Sequence, residues 1–283
     1  MKIVAKITDL QLFLTEKRAE GKKIGFVPTM GALHLGHISL ISESIKVTDI
    51  TVCSIFVNPT QFNDKKDLER YPRMPKRDAE LLQSSGCDVL FLPEVSEIYP
   101  NEDTRKFNFG YLDTILEGAS RPGHYNGVAQ VVSRLFDIVK PDVAFFGIKD
   151  YQQVMVVKAL VKQLHLPIEI VASPILRDED GLAMSSRNLL LSKEEREAAT
   201  FLYQLLQKCK LLKFDGRLIS EIKQFVNDEL SKNALYRLDY IAICEADTLI
   251  EANEFRQNVT YVALIACYVG KIRLIDNLML GNS

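Results

Sequence analysis

The sequence predicts an α/β protein: a doubly wound parallel sheet followed by a smaller α+β domain. Three observations predict it. Short runs rich in β-branched and aromatic residues alternate with amphipathic stretches through the first 175 or so residues. After about Arg177 that alternation stops, and two helical patterns are followed by three strand-like runs. Three of the motifs with chemical potential fall at the end of an expected strand, the edge at which such sheets bind ligands.

In chain order, the expected strands of the first part are 24–27, 50–57, 89–92, 143–146 and 168–171, each short enough to be buried in a parallel sheet. The expected helices between them are 8–20, 36–46, 76–85, 128–140 and 152–164; in the fourth, Val128, Val131, Val132, Leu135, Phe136 and Val139 recur at helical spacing. In the second part Ser192 and Glu195 form a capping-box pattern, and Ala198, Leu202, Leu205 and Cys209 mark one face of the helix that follows. A further helix is expected over 219–230, then strands over 238–244, 259–269 and 272–275, with Gly270-Lys271 as a two-residue hairpin turn. The domains are expected over 1–176 and 177–283, with 173–191 as the linker region.

Composition excludes several classes. With 47% apolar and 25% charged residues, the chain is an ordinary globular one, and a net charge of −2 supplies no basic field for nucleic acid or an anionic membrane. The longest apolar run, 261–269, is far shorter than the roughly 20 residues that a spanning helix needs. The five cysteines are odd in number, widely spaced and without a CxxC pair; they read as buried, inert thiols of a reducing cytosol. The opening MKIVAKITDL has no signal-peptide core, so a cytoplasmic location is expected.

Five segments carry chemistry. Pro28-Thr-Met-Gly-Ala-Leu-His-Leu-Gly-His37 places His34 and His37 three residues apart at a helix start, where unpaired N–H groups and the helix dipole favour phosphate. Both imidazoles lie on one face and can aim at one anion. Phe56-Val-Asn-Pro-Thr-Gln-Phe62 ends a strand; Gln61 is either a solvated turn residue or a neutral amide that orients a hydroxyl or carboxylate. In Arg121-Pro-Gly-His-Tyr-Asn-Gly127, Asn126 or a neighbour can cap a helix, or Arg121 and His124 can face the cleft. Phe145 to Gln153 offers Gly147, the mobile charge of Lys149, Asp150 as helix cap or ribose acceptor, and Gln153 on the first turn. Asp180 to Asn188 sets two hydroxyls and a guanidinium on one loop, a phosphate clamp or a polar linker.

Taken together and in this order, PTMGALHLGH, FVNPTQF, the YPR of Tyr71–Arg73, RPGHYNGV, FFGIKDYQQ and DGLAMSSRN closely resemble the pantoate–β-alanine ligases, Rossmann-like members of the HIGH-type nucleotidyltransferases. The resemblance spans nearly the whole chain. It implies condensation of pantoate with β-alanine through a pantoyl-adenylate, with ATP cleaved to AMP and pyrophosphate. It implies ATP contacts at Met30, Gly31, Ala32, Leu33, His34, Leu35, Gly36 and His37, at Gly147, Ile148, Lys149 and Asp150, at the Leu176 backbone, and at Met184, Ser185, Ser186 and Arg187. His37 is then the proton donor, and His34, His37, Lys149 and Arg187 are the cations facing phosphate. Gln61, Gln153 and Met30 hold pantoate, and Gln61 also borders β-alanine. Mg²⁺ bridges phosphate oxygens with few protein ligands. A homodimer is implied, with no nucleic-acid or membrane partner. The family's acidic pair before Tyr-Pro-Arg reads Lys66-Asp67 here, which leaves Asp67 as the one carboxylate near the metal.

Overall fold

The computed structural model describes residues 1–62 and 65–282, without the side chains of Lys65, Asp67 and Asn282. The chain divides into two compact units, Met1–Pro174 and Ile175–Ser283. The division falls two residues before the expected one, so Ile175 and Leu176 belong to the second unit.

In chain order the first unit contains β1 (Lys2–Val4), α1 (Ile7–Ala19), β2 (Ile24–Thr29), α2 (Leu35–Val47), β3 (Ile50–Ile55), α3 (Lys65–Arg70) and α4 (Pro75–Ser84). Then come β4 (Val89–Phe91), α5 (Val95–Ile98), α6 (Leu116–Ser120), α7 (His124–Val139), β5 (Val143–Gly147), α8 (Tyr151–Gln163) and β6 (Glu169–Ser173). Its six strands pair in the order β1-β4-β3-β2-β5-β6, all parallel, as the doubly wound expectation requires. The chain order reverses between β2 and β5, and ligands of such sheets bind beyond the carboxyl ends of the strands at that point.

The sheet is buried because both faces carry apolar side chains. Phe26, on β2, meets Phe136 of α7 edge-on at 6.4 Å, and Phe136 meets Phe146 of β5 at the same separation. Such pairs add about 0.5–1.5 kcal/mol to their area burial. On the other side Val27, Ile41, Cys53, Leu82, Leu90 and Phe145 pack into one cluster. At the amino ends of the strands, carboxylates accept the first N–H groups: Asp49 from Lys23, Asp142 from Ile24 and Asp88 from Thr51, all within 2.7–2.8 Å. Arg18 closes the carbonyl end of α7, donating to Val139 O and Lys140 O.

The second unit contains α9 (Lys193–Ala199), α10 (Phe201–Phe214), α11 (Ile219–Ser231) and the antiparallel sheet β7 (Tyr236–Glu245), β8 (Thr260–Val269) and β9 (Ile272–Asn282). The capping box forms: Ser192 N donates to Glu195 Oε2 at 2.8 Å, and Glu195 N to Ser192 Oγ at 3.2 Å. The single helix expected after it is two, meeting at Thr200, whose backbone stays helical and keeps the apolar face in phase. Leu202, Leu205, Leu206 and Cys209 of α10 and Ile222, Val226 and Leu230 of α11 pack on Ile243, Tyr261, Ile265 and Leu274 of the sheet. Val269 pairs with Ile272 across the Gly270-Lys271 turn. Among the described residues, no helix is long and apolar enough to cross a membrane.

Candidate active site

The segment from Met30 to His37 runs from the carboxyl end of β2 into α2, beside the switch point of the sheet. Gly31 and Ala32 both take left-handed backbone angles, φ +82° and +49°. A β-carbon at Gly31 would stand 2.9 Å from Ile55 Cγ2, so only glycine fits there. Two groups hold this bend. Thr29 Oγ1 donates to Ser54 O at 2.7 Å and accepts from Gly31 N at 3.3 Å. Asp78, on α4 and 1% exposed, accepts Ala32 N–H at 2.9 Å and Leu33 N–H at 2.8 Å. Burial pushes the Asp78 carboxyl above its ordinary pKa, and the Leu33 and Ala32 N–H groups offset part of that rise.

The two histidines cap α2 with each other's help. Gly36 N–H donates to His34 Nδ1 at 3.2 Å, and His34 N–H donates to His37 Nδ1 at 3.3 Å. Their rings lie 4.1 Å apart between centroids. Because each Nδ1 accepts, the proton of each neutral ring sits on Nε2, turned away from the backbone it caps. Burial pushes His37 down to about 3, helped by the like charges of His34 and Lys149. That shift favours the neutral ring, whose N–H is then on Nε2. Lys149 lies on the turn after β5, and its Nζ is 3.9 Å from the Asp150 carboxylate. Asp150 occupies the cap position of α8 but makes no capping hydrogen bond.

Gln61 is buried and its amide is oriented by named partners. Asn58 Nδ2 donates to Gln61 Oε1 at 3.2 Å and to Gly127 O at 3.1 Å. Gln61 Nε2 points at the Met30 thioether, 3.3 Å away, a weak acceptor that an oxygen would replace. Asn58 is itself fixed by the Tyr99 hydroxyl, which donates to its Oδ1 at 2.9 Å. Behind Tyr99, the Arg134 guanidinium lies 5.2 Å from the ring centroid and donates to Asp103, whose carboxyl the Arg105 hydrogen bonds hold well below the usual carboxylate range. Gly127 lets α7 reach this turn, since a β-carbon would meet Thr60 O at 2.4 Å.

His124 and Arg121 both reach the Gln61 carbonyl, at 2.9 and 3.4 Å. His124 donates from Nδ1 and takes Arg121 at Nε2, the opposite tautomer to that of the first pair. Burial and the Arg121 charge lower His124 to about 4. Asn126 does not cap α7; Gly123 occupies that position, and Asn126 Oδ1 accepts Phe107 N–H at 2.9 Å. Gln153 sits half-buried on the first turn of α8, next to Gln152, which is fully engaged with Glu117 N, Leu112 O and Ile115 O.

In the second unit, Leu176 and Met184 belong to the two arms of a hairpin, joined by Met184 N to Leu176 O at 3.1 Å. Ser185 caps the turn that follows by accepting Arg187 N–H at 3.3 Å. Ser186 is buried and Arg187 half-buried. The Asp67 side chain lies outside the described residues. Among the described residues, no three His, Cys, Asp or Glu side chains are grouped to hold a metal ion.

Asp78, Asn58 and Tyr99 were not singled out as site residues by sequence reasoning. Asn58 stood inside a quoted motif. Asp78 and Tyr99 act through contacts 45 and 41 residues away in sequence, and no local pattern marks them.

A doubly wound sheet whose switch point carries a tight turn into a helix start, with a buried amide and a lysine on other strand-to-helix turns, is the architecture of the nucleotide-binding α/β enzymes. The comparisons give the family. The sequence model described as "Pantoate-beta-alanine ligase" matches residues 2–279. Pantothenate synthetase of Bacteroides fragilis is 48% identical over 283 residues, all of both chains, and that of Porphyromonas gingivalis is 46% identical over 98% of this chain and 99% of its own. The crystal structure of pantothenate synthetase from Thermus thermophilus superposes with a TM-score of 0.92 at 40% identity, covering 99% of this chain and all of that one. The Francisella tularensis pantoate–β-alanine ligase, solved with a β,γ-ATP compound and β-alanine, superposes with a TM-score of 0.83 at 37% identity, covering 99% and 98%. The chain belongs to the pantoate–β-alanine ligase family.

Proposed function

We infer that the protein joins pantoate to β-alanine at the expense of ATP, and that Met30–His37, Gly147–Asp150, Leu176 and Met184–Arg187 contact the nucleotide. Family membership supports the reaction. The observation that carries the site assignment is the reciprocal cap of His34 and His37, which turns two Nε2–H donors away from α2 at its positive end.

The pantoate carboxylate attacks the α-phosphorus, pyrophosphate leaves, and the β-alanine amine then attacks the acyl carbon and displaces AMP. Negative charge grows on phosphoryl oxygens in the first step. Preorganised donors placed where that charge develops lower the barrier most. His34 and His37 supply N–H donors, and Lys149 and Arg187 supply charge. A triphosphate beside His37 raises its pKa, so the ring takes up a proton most readily when the substrate is bound. Gln61 and Gln153 hold pantoate, Gln61 through the Nε2 that now faces Met30; Gln61 also borders β-alanine. No protein nucleophile is needed, and burial pushes the thiols of Cys87, Cys209 and Cys244 up to about 12, which suits inert cysteines.

Among the described residues the donor set offers no protein cage for a metal. Mg²⁺, if it arrives with the triphosphate, would screen phosphate charge without needing a protein cage; Asp67, whose side chain lies outside the described residues, is the one carboxylate proposed for it. A cytoplasmic homodimer is the expected form, resting on the family resemblance; a monomer mass in light scattering at micromolar protein would overturn the dimer.

The deciding experiment is AMP release from Mg-ATP with pantoate and β-alanine, omitting each in turn. Sustained AMP release that needs all three supports the ligase and its adenylate. Release with a proteinogenic amino acid in place of both carbon substrates would overturn it.

A further inference from the structure

Arg177, in the second unit, is held on several sides. Its guanidinium forks onto the Asp276 carboxylate of β9, at 2.6 and 2.9 Å. It also donates to Asn277 O at 3.2 Å and to Gly181 O, the tip of the hairpin, at 3.1 Å. Its flat face lies 3.8 Å from the centroid of the Tyr203 ring on α10. Five contacts thus tie one residue to the last strand, to a helix and to the hairpin it begins.

The hairpin leads directly to the Met184–Arg187 segment. Arg177 is bridged to Ala183 across its two arms. Ala183 O in turn accepts from Asn188 Nδ2 at 3.1 Å, which fixes the turn that carries Ser185, Ser186 and Arg187. On the outer side, Arg196 of α9 donates to both Asp178 and Asp180, at 2.8 and 2.7 Å. A loop tied only by its own backbone would be among the softest parts of the unit. This one is fastened at two faces by arginines.

A shielded ion pair such as Arg177–Asp276, with side chains 15% and 4% exposed, is a weak source of net stability, because desolvation offsets most of its Coulomb gain. What a bidentate, stacked guanidinium does supply is direction: the fork and the ring leave one orientation. We propose that Arg177 is a positioning residue for the nucleotide, holding the Met184–Arg187 segment at one fixed setting on the second unit through its fork to Asp276 and its stack on Tyr203. The inference rests on the reading that this segment contacts ATP.

The test is Arg177→Lys in the full-length protein, with Arg187→Ala and Arg196→Gln alongside. Lysine keeps the charge and loses the fork and the stack. The expected result is a KM for ATP raised about tenfold, the order of effect that a small misplacement produces, with the KM for pantoate within about twofold. A merely structural role would reduce the amount of active enzyme and lower kcat, leaving both KM values unchanged. Arg196→Gln removes a half-exposed grip that adds little to the fold, so it stays folded even where Arg177→Lys does not; it should raise the KM for ATP in the same selective way by about two- to fivefold. If Arg187→Ala raises the KM for ATP while Arg177→Lys and Arg196→Gln leave it alone, the positioning role is overturned and the clamp reading stands. If Arg187→Ala itself leaves the KM for ATP unchanged, the clamp reading is overturned and this inference with it.

Discussion

Asp78 accepts the Leu33 N–H at 2.8 Å across 45 residues of sequence, and its second oxygen takes the Ala32 N–H at 2.9 Å. The bend that aims His34 is therefore held from outside by α4. Asp78→Asn keeps the shape but sets one amide N–H against a backbone N–H. It should destabilise the fold by about 1–3 kcal/mol and raise the KM for ATP more than that for pantoate. Urea titration and steady-state kinetics measure the two effects; equal KM values to the parent would show the bend to be self-supporting.

His37→Ala should lower kcat by about 10²–10³ with the fold intact, the scale of removing one preorganised donor. Circular dichroism checks the fold and AMP release the rate. Near-parental turnover would remove His37 from the phosphate site.

Acid should weaken the fold before the carboxylates titrate. His37 and His124 are lowered to about 3 and about 4 by burial, whereas their unfolded forms protonate near the ordinary value of 6.5. Between these limits the unfolded chain binds protons that the native chain does not. Stability is thus fully present above about 6.5 and falls as pH drops toward 4, at up to about 1.4 kcal/mol per pH unit for each ring. Urea midpoints from pH 7 to pH 4.5 read this slope, and it should be shallower in His124→Gln. An identical slope in that variant would exclude His124 as a source.

The Gln61 amide is oriented by Asn58, and Asn58 by Tyr99. Gln61→Ala should weaken pantoate binding far more than ATP binding. Tyr99→Phe should produce a milder form of the same selective loss, about two- to tenfold, as one hydrogen bond of the relay goes. Isothermal titration with each ligand separates them; a loss shared equally by pantoate and ATP would count against the assignment.

All five cysteines are free and buried. In native protein a thiol reagent should label none of them on the time scale of minutes, and in denaturant it should label five. Rapid labelling of one native thiol would mark a segment that opens readily.

The parallel sheet was legible because its strands are short apolar runs punctuated by helices, and each strand expected in it lies within about two residues of an observed one, whereas the last expected strand, 272–275, runs on to Asn282 in β9. β1 escaped notice because it has three residues, of which only Val4 is buried, at the sheet edge. α3, α5 and α6 escaped because six, four and five residues are too few to show a helical period. α7 begins four residues before the apolar repeat, since His124 and Tyr125 are buried polar-tipped residues rather than aliphatic ones. In the site, motifs revealed the residues that sit on strand-to-helix turns. They did not reveal Asp78 or Tyr99, which act over long sequence distance, or the downward pKa shift of His37.

The Arg177–Asp276 fork also bears on the order in which the molecule is completed. Its two partners stand 99 positions apart, so a ribosome exposes the hairpin long before it exposes the strand that fastens it. Throughout that interval the first unit has all the residues it needs to fold, while the hairpin has no anchor at its inner face. A nascent chain stalled before residue 276 would carry the whole first unit and an unfastened hairpin. A fixed hairpin is in this sense among the last features the growing polypeptide acquires, deferred until β9 arrives.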